Sequence, residues 1–149
     1  MPMIDIAAPE GTFPESAEAA LLERATACVL QWEKVTGIPY ATANTGAFLN
    51  VLPRGRLTAG SQAVPAVRIQ VLTPAKSLTQ EQRAGIAASL TDIVAELANA
   101  PGQRERTWVL FHEAVDGGWG IAGKALTNVE LVDAVRASAI ALRAGQAGR

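Results

Sequence analysis

Pro2-Met3-Ile4-Asp5-Ile6 near the start of the chain and Pro65-Ala66-Val67-Arg68-Ile69 near its middle carry one pattern, a proline that opens a short strand. In both, apolar residues alternate with others at the two-residue strand period, so Ile4 and Ile6 share one face, as do Val67, Ile69 and Val71. A turn stretch follows each, Pro9-Glu10-Gly11 in the first and Thr73-Pro74-Ala75-Lys76 in the second. The echo predicts a doubled unit, and the segments on either side of it extend that reading.

A helix signal comes after each turn. In the first half Ser16 is the expected cap of a segment whose Leu21, Leu22, Ala25, Val29, Trp32 and Val35 recur at helical spacing, ended by Gly37-Ile38-Pro39. In the second half Thr79 and Gln82 form a capping box, and Ile86, Leu90, Ile93 and Leu97 make one stripe closed by Pro101-Gly102. Strand-like sequence follows both helices, Ala47 to Leu52 and then Thr107 to Val115, the latter rich in β-formers such as Trp108, Val109 and Phe111.

The order is therefore β-α-β twice. A strand, crossover helix and parallel strand make a right-handed unit, and two side by side predict an α+β fold: a four-stranded sheet with both helices on one face. The opposite face is left bare, with Ile, Val and Leu side chains expected in water, so self-association through the sheets is expected. Thr127, with Glu130 as capping partner, starts a last helix with Leu131, Val135, Ala139 and Leu142 on one stripe, and Ala144 to Arg149 are expected to fray. The predicted organisation is one soluble domain over 1–149, with a first unit at 2–62, a second at 65–124 and a C-terminal helix at 127–143.

Composition agrees with a self-sufficient core. The 149 residues are 49% hydrophobic, and a net charge of -1 with both signs scattered argues against a nucleic-acid footprint. No segment approaches the ~20 apolar residues of a membrane span, and no charged lead precedes an apolar run, which points away from a membrane and to the cytoplasm. Cys28 is the one cysteine and falls in an apolar helical pattern, as a core hydrophobe does. His112 is the one histidine, so no metal-ligand spacing exists and no metal or other cofactor is implied.

The proline after Met1, the doubled β-α-β pattern and the hairpin-like Gly117-Gly118-Trp119-Gly120-Ile121-Ala122-Gly123 together resemble the tautomerase superfamily. The likeness runs from Pro2 to about Lys124. It is to 4-oxalocrotonate tautomerase and macrophage migration inhibitory factor, in the fused form of the malonate semialdehyde decarboxylases and cis-3-chloroacrylic acid dehalogenases. It implies a MIF-like fold, a homotrimer of doubled units and catalysis by the N-terminal proline. Removal of Met1 would leave Pro2 as a secondary amine. An α-amino group sits near pKa ~8 in water, and an apolar, cationic site lowers that value, so a neutral Pro2 near pH 7 can act as general base beside a carbonyl. Pro65, an internal tertiary amide, cannot.

The resemblance also implies a carboxylate-bearing keto or enol acid as substrate, held by cations. Lys76 keeps one positive charge where dehalogenase-like relatives have an arginine pair. Arg54 and Arg56, flanking Gly55 in a turn, are further candidate anchors, from this chain or a neighbouring subunit, against the alternative of a solvated turn. Trp119 stands where relatives have an aromatic wall, and Trp108 at about the place of a substrate-binding arginine. Arg68 faces away from the helices and suits an interface ion pair. Trp32 or Glu33 falls where dehalogenase-like relatives carry a helix histidine, and Gly118 where they carry a water-activating acid, with Asp116 nearest, so hydrolytic dehalogenation is disfavoured.

The expected activity is that of a cofactor-independent tautomerase, an isomerase with Pro2 as base. A hydratase or decarboxylase acting on a three-carbon acid is the alternative, needing Asp116 or Glu113 close to Pro2. A non-catalytic binding protein on the same scaffold is the third reading.

Overall fold

The structure, a computed structural model, describes residues 1–147. Strand β1 (Met3–Pro9) is followed by α1 (Glu15–Trp32), a short α2 (Pro39–Ala43) and β2 (Gly46–Leu52). After a two-residue ladder, β3 (Thr58–Ala59) with β4 (Gln62–Ala63), the pattern returns as β5 (Val67–Pro74), α3 (Gln80–Leu97) and β6 (Thr107–Ala114). A hairpin, β7 (Trp119–Ile121) and β8 (Lys124–Leu126), leads into α4 (Asn128–Ala147).

The sheet order is β2-β1-β5-β6. Within each half the two strands run parallel, and the halves meet antiparallel along β1 and β5, with Ile6 opposite Ile69. Ile4, Ile6, Val67, Ile69 and Val71 point to the helix side and are fully buried against Leu21, Ala25 and Val29 of α1 and Ile86, Leu90 and Val94 of α3. Cys28 belongs to this core; burial pushes its thiol up, against a lowering hydrogen bond from Ser89.

The open face differs from its expected content. Its exposed apolar side chains are Phe48, Leu72, Trp108 and Leu110, set among Asp5, Arg68, Gln70 and His112. The β-branched residues of β1 and β5 all lie on the other side, because their alternation is in phase with the helices.

Local signals account for most element ends. The Thr79–Gln82 capping box is present in full, and at α4 the Thr127 amide and hydroxyl both donate to Glu130 Oε2 at 2.8 Å. Helix α1 starts before Ser16: Pro14, extended at φ -66°, ψ 142°, is its N-cap, and Glu15 and Glu18 in the first turn suit the positive end of the helix dipole, so Ser16 lies inside that turn. It also ends before Val35. Lys34 takes φ 60°, its amide donates to Gln31 O at 3.0 Å and that of Val35 to Leu30 O at 3.0 Å, a Schellman closure with lysine where glycine is usual. Pro39 then opens α2 instead of ending α1. Helix α4 continues through Ala144 to Ala147, where fraying was expected; Gly148 and Arg149 lie outside the described residues. No helix among the described residues is long and apolar enough to cross a membrane.

Candidate active site

Antiparallel pairing of β1 with β5 brings the start of β1 and the end of β5 to one edge of the sheet, with Met3 opposite Leu72. Pro2 is buried there, its carbonyl accepting the Gly46 amide at 3.3 Å. The hairpin after β6 emerges at the same edge. Its turn places Ala122 at φ 50° and Gly123 at φ 77°, the pair of positive angles a two-residue hairpin demands, and Trp119 pairs with Leu126.

Around this edge lies a second, smaller core. Met1, Leu30, Ala41, Trp119 and Leu131 are buried together, joining α1, α2, the hairpin and α4. Besides this packing, hydrogen bonds among the described residues hold helix α4: Asn128 Nδ2 donates to Ala75 O at 2.8 Å, the Asn128 amide to Asp116 Oδ1 at 2.7 Å, and the Tyr40 amide to Ser138 Oγ at 3.1 Å.

Between α4 and the turn after β5 opens a cavity of about 550 Å³. Met1 and Val35 line one side, Leu131, Val132 and Val135 the other, and its charged groups are Glu33, Lys76 and Arg136. Glu33, the C-cap of α1, places Oε2 2.6 Å from the α-ammonium of Met1, with side-chain exposures of 8% and 3% respectively. A carboxylate at a helix C-terminus meets the negative end of the helix dipole, so a cation is what holds it there. Lys76, at φ 57°, turns its amide to Glu113 Oε2 at 3.0 Å.

The residues singled out from sequence are thus divided. Pro2, Lys76 and Trp119 lie at one end of the sheet, and of these Lys76 lines the cavity, while Pro2 is buried behind it next to Met1 in the chain and Trp119 packs in the same small core as Met1. Arg54 lies at the other end, its guanidinium against Gly11 just past the far end of β1, with Arg56 in the same exposed turn. Seven strand residues, roughly 23 Å, separate that turn from Pro2, more than an arginine side chain spans, so neither residue anchors a ligand at the Pro2 of its own chain. Trp108 sits on the open face, half-exposed, and does not line the cavity. Neither Asp116 nor Glu113 lines it; the one caps α4, and the other binds the Lys76 amide and pairs with Arg83 at 3.6 Å.

Four polar lining groups were not foreseen as site residues: Glu33, Ser77, Asn128 and Arg136. Arg136 directly follows Val135 of the apolar stripe, a border position where long cations often line a groove, and the docking of α4 brings this exposed side chain to the rim of the cavity.

Residues 65–128 match the family described as Tautomerase enzyme. No curated protein sequence matches the chain. Among solved structures, the chain is similar to Pt0534 inactivated by 2-oxo-3-pentynoate, with a TM-score of 0.72 at 23% identity over 87% of this chain and 98% of that one. It is similar to a fused 4-OT wild-type symmetric trimer, with a TM-score of 0.72 at 16% identity over 87% and 98%. It is also similar to a macrophage migration inhibitory factor-like protein from Entamoeba histolytica, with a TM-score of 0.65 at 12% identity over 83% and 96%. Likeness at these identities establishes the fold.

Proposed function

We propose that this chain, a tautomerase superfamily member by the sequence of its second half and by its fold, is a cofactor-independent tautomerase acting on a small keto-enol carboxylic acid. Pro2, freed by removal of Met1, moves the proton at the substrate carbon, as base toward the enol and as acid toward the ketone. The observation that carries this reading is the burial of the chain's amino end against a mostly apolar cavity whose cations are Lys76 and Arg136.

The apolar walls suit the body of an organic acid and the two cations its carboxylate, an arrangement that stabilises the negative charge developing in an enolate. Trp119 backs the Met1 side of the pocket from within the same chain. Arg54 and Arg56 would contribute only to the site of a neighbouring copy. The hydratase or decarboxylase alternative, drawn with Asp116 or Glu113 beside Pro2, loses support because neither acid lines the cavity.

We read the assembly as a homo-oligomer, a trimer by analogy with the fused 4-OT trimer that shares the fold. The open sheet face, with Phe48, Leu72, Trp108 and Leu110 exposed, is the surface that association would cover. The unpaired, buried Cys28 suits a reducing compartment such as the cytoplasm.

The test is ketonisation of phenylenolpyruvate by protein whose N-terminal residue is shown to be Pro2 by mass spectrometry. Replacement of Pro2 by Ala should lower the rate by about 100-fold or more, the usual worth of a positioned acid-base group. Equal rates, or an inactive wild type with Pro2 exposed, would remove the reading.

A further inference from the structure

We infer that Glu33 is the second proton carrier of this site: its carboxylate meets the enol hydroxyl of the substrate while Pro2 serves the carbon. This assignment rests on the tautomerase reading above and deepens it. Two buried charged groups face each other here, and one of them, the α-ammonium of Met1, is absent from the form that begins with Pro2.

The atoms of Met1 stand in for the substrate. Its carbonyl carbon is bonded to the Pro2 nitrogen, its Cα comes next, and its nitrogen ends the run, about 3 Å from the Pro2 nitrogen by standard backbone dimensions. An enol acid placed in the vacated volume, with its reacting carbon against Pro2, has the same sequence of atoms: carbon, carbon, heteroatom. The reacting carbon stands roughly 3 Å from the Pro2 nitrogen, where the Met1 carbonyl carbon is bonded at about 1.33 Å, so the hydroxyl comes to the neighbourhood of the Met1 nitrogen, the atom that now lies 2.6 Å from Glu33 Oε2. A buried carboxylate that has lost its cation requires a donor at that position, and the enol hydroxyl is one.

The chemistry closes without any further reactant. In ketonisation the O–H bond of the enol breaks and its proton passes to Glu33, while the oxygen's electron pair forms the carbonyl. The electrons of the carbon–carbon double bond take a proton from the Pro2 ammonium, making the C–H bond and leaving Pro2 neutral. Transfer of the proton from Glu33 to Pro2 restores the starting state. A carboxylate near Pro2 favours the protonated amine, which is the form this direction needs. The remaining charged groups facing the cavity are Lys76, from the turn after β5, and Arg136, from α4; both are cations and are left for the substrate carboxylate.

The experiment compares wild type, Pro2→Ala, Glu33→Gln and Glu33→Asp, each with its N-terminus verified by mass spectrometry, in phenylenolpyruvate ketonisation between about pH 5 and 9. Glu33→Gln should lower kcat by about 100-fold with KM held within about threefold, and Glu33→Asp should recover part of the rate. Should the Gln variant not fold, Glu33→Asp decides: a kcat lowered by about tenfold or more with KM nearly unchanged supports Glu33, and a kcat within about threefold of wild type overturns it. A Gln variant that keeps kcat within about threefold while Pro2→Ala loses activity overturns the role of Glu33 and leaves the tautomerase reading standing. Wild type that is inactive, or no faster than Pro2→Ala, overturns both.

Discussion

The indole of Trp32 in α1 lies on Gly85 in α3, so close that a Cβ at position 85 would overlap the ring. Two hydrogen bonds keep the ring and its backbone in place: Trp32 Nε1 donates to Ser89 Oγ at 3.3 Å, and Gln82 Nε2 to Trp32 O at 2.7 Å. The next residue is Glu33, so this helix contact sets the position from which the carboxylate enters the cavity.

Replacing Gly85 by Ala should therefore destabilise the protein. In an exposed helix the change gains about 1 kcal/mol of propensity, but here the indole has to move, and overpacking of this kind costs about 1–3 kcal/mol. Thermal unfolding should show a melting temperature lower by several degrees. If the site reading holds, kcat for the enol acid should fall as well; a variant as stable as wild type would mean the helices part without cost.

Lys76 and Arg136 should act on binding more than on the chemical step. Lys76→Met and Arg136→Met are each expected to raise KM about tenfold, the scale of one lost charge-assisted hydrogen bond, with kcat nearly unchanged. Arg136 pairs with Asp133 only at 3.7 Å on the surface, a contact too exposed to matter for stability, so its loss should leave the melting temperature in place. Steady-state kinetics on the two variants and their double mutant would assign the carboxylate anchor.

Acid should loosen the start of α4. The Thr127 amide, and then its hydroxyl, hydrogen-bond the Glu130 carboxylate and hold its pKa below the ordinary value. A group whose folded pKa is depressed stabilises above its unfolded pKa, near ~4.3, and that contribution is lost as pH falls through the folded value. Hydrogen exchange at Glu130 and Leu131, whose amides bond Thr127, should speed up in that window and do so less in Glu130→Gln. Thr127→Ala removes the cap at every pH, at about 0.5–2 kcal/mol.

The open face offers a direct assay of association. Leu110, 43% exposed, lies beside Gln70 at the middle of β5 and β6. A charge there would be desolvated in any sheet-to-sheet contact, so Leu110→Arg should shift the mass measured by light scattering toward that of one chain. An unchanged mass would place the interface elsewhere.

What the sequence by itself determined was local or periodic. Ile4 and Ile6, then Val67, Ile69 and Val71, announce strands because side-chain direction alternates within a strand. Thr79–Gln82 and Thr127–Glu130 announce helix starts because capping partners lie three residues apart. Pro2 stood out through the chemistry of a secondary amine and the family likeness.

What only the tertiary structure decided depends on pieces distant in the chain. Pairing β1 antiparallel to β5 sends Lys76 to the end that holds Pro2 and leaves Arg54 at the other, a sorting no local pattern carries. Left-handed Lys34 ends α1 early, through two backbone hydrogen bonds that need no glycine, and leaves Glu33 as its cap. Glu33 meets Met1 across 32 positions of sequence, and Arg136 shares a cavity with Lys76 only because α4 docks on α2 and the hairpin. Burial and charge pairing act through space, and for such residues neighbours in space are the ones the sequence does not list side by side.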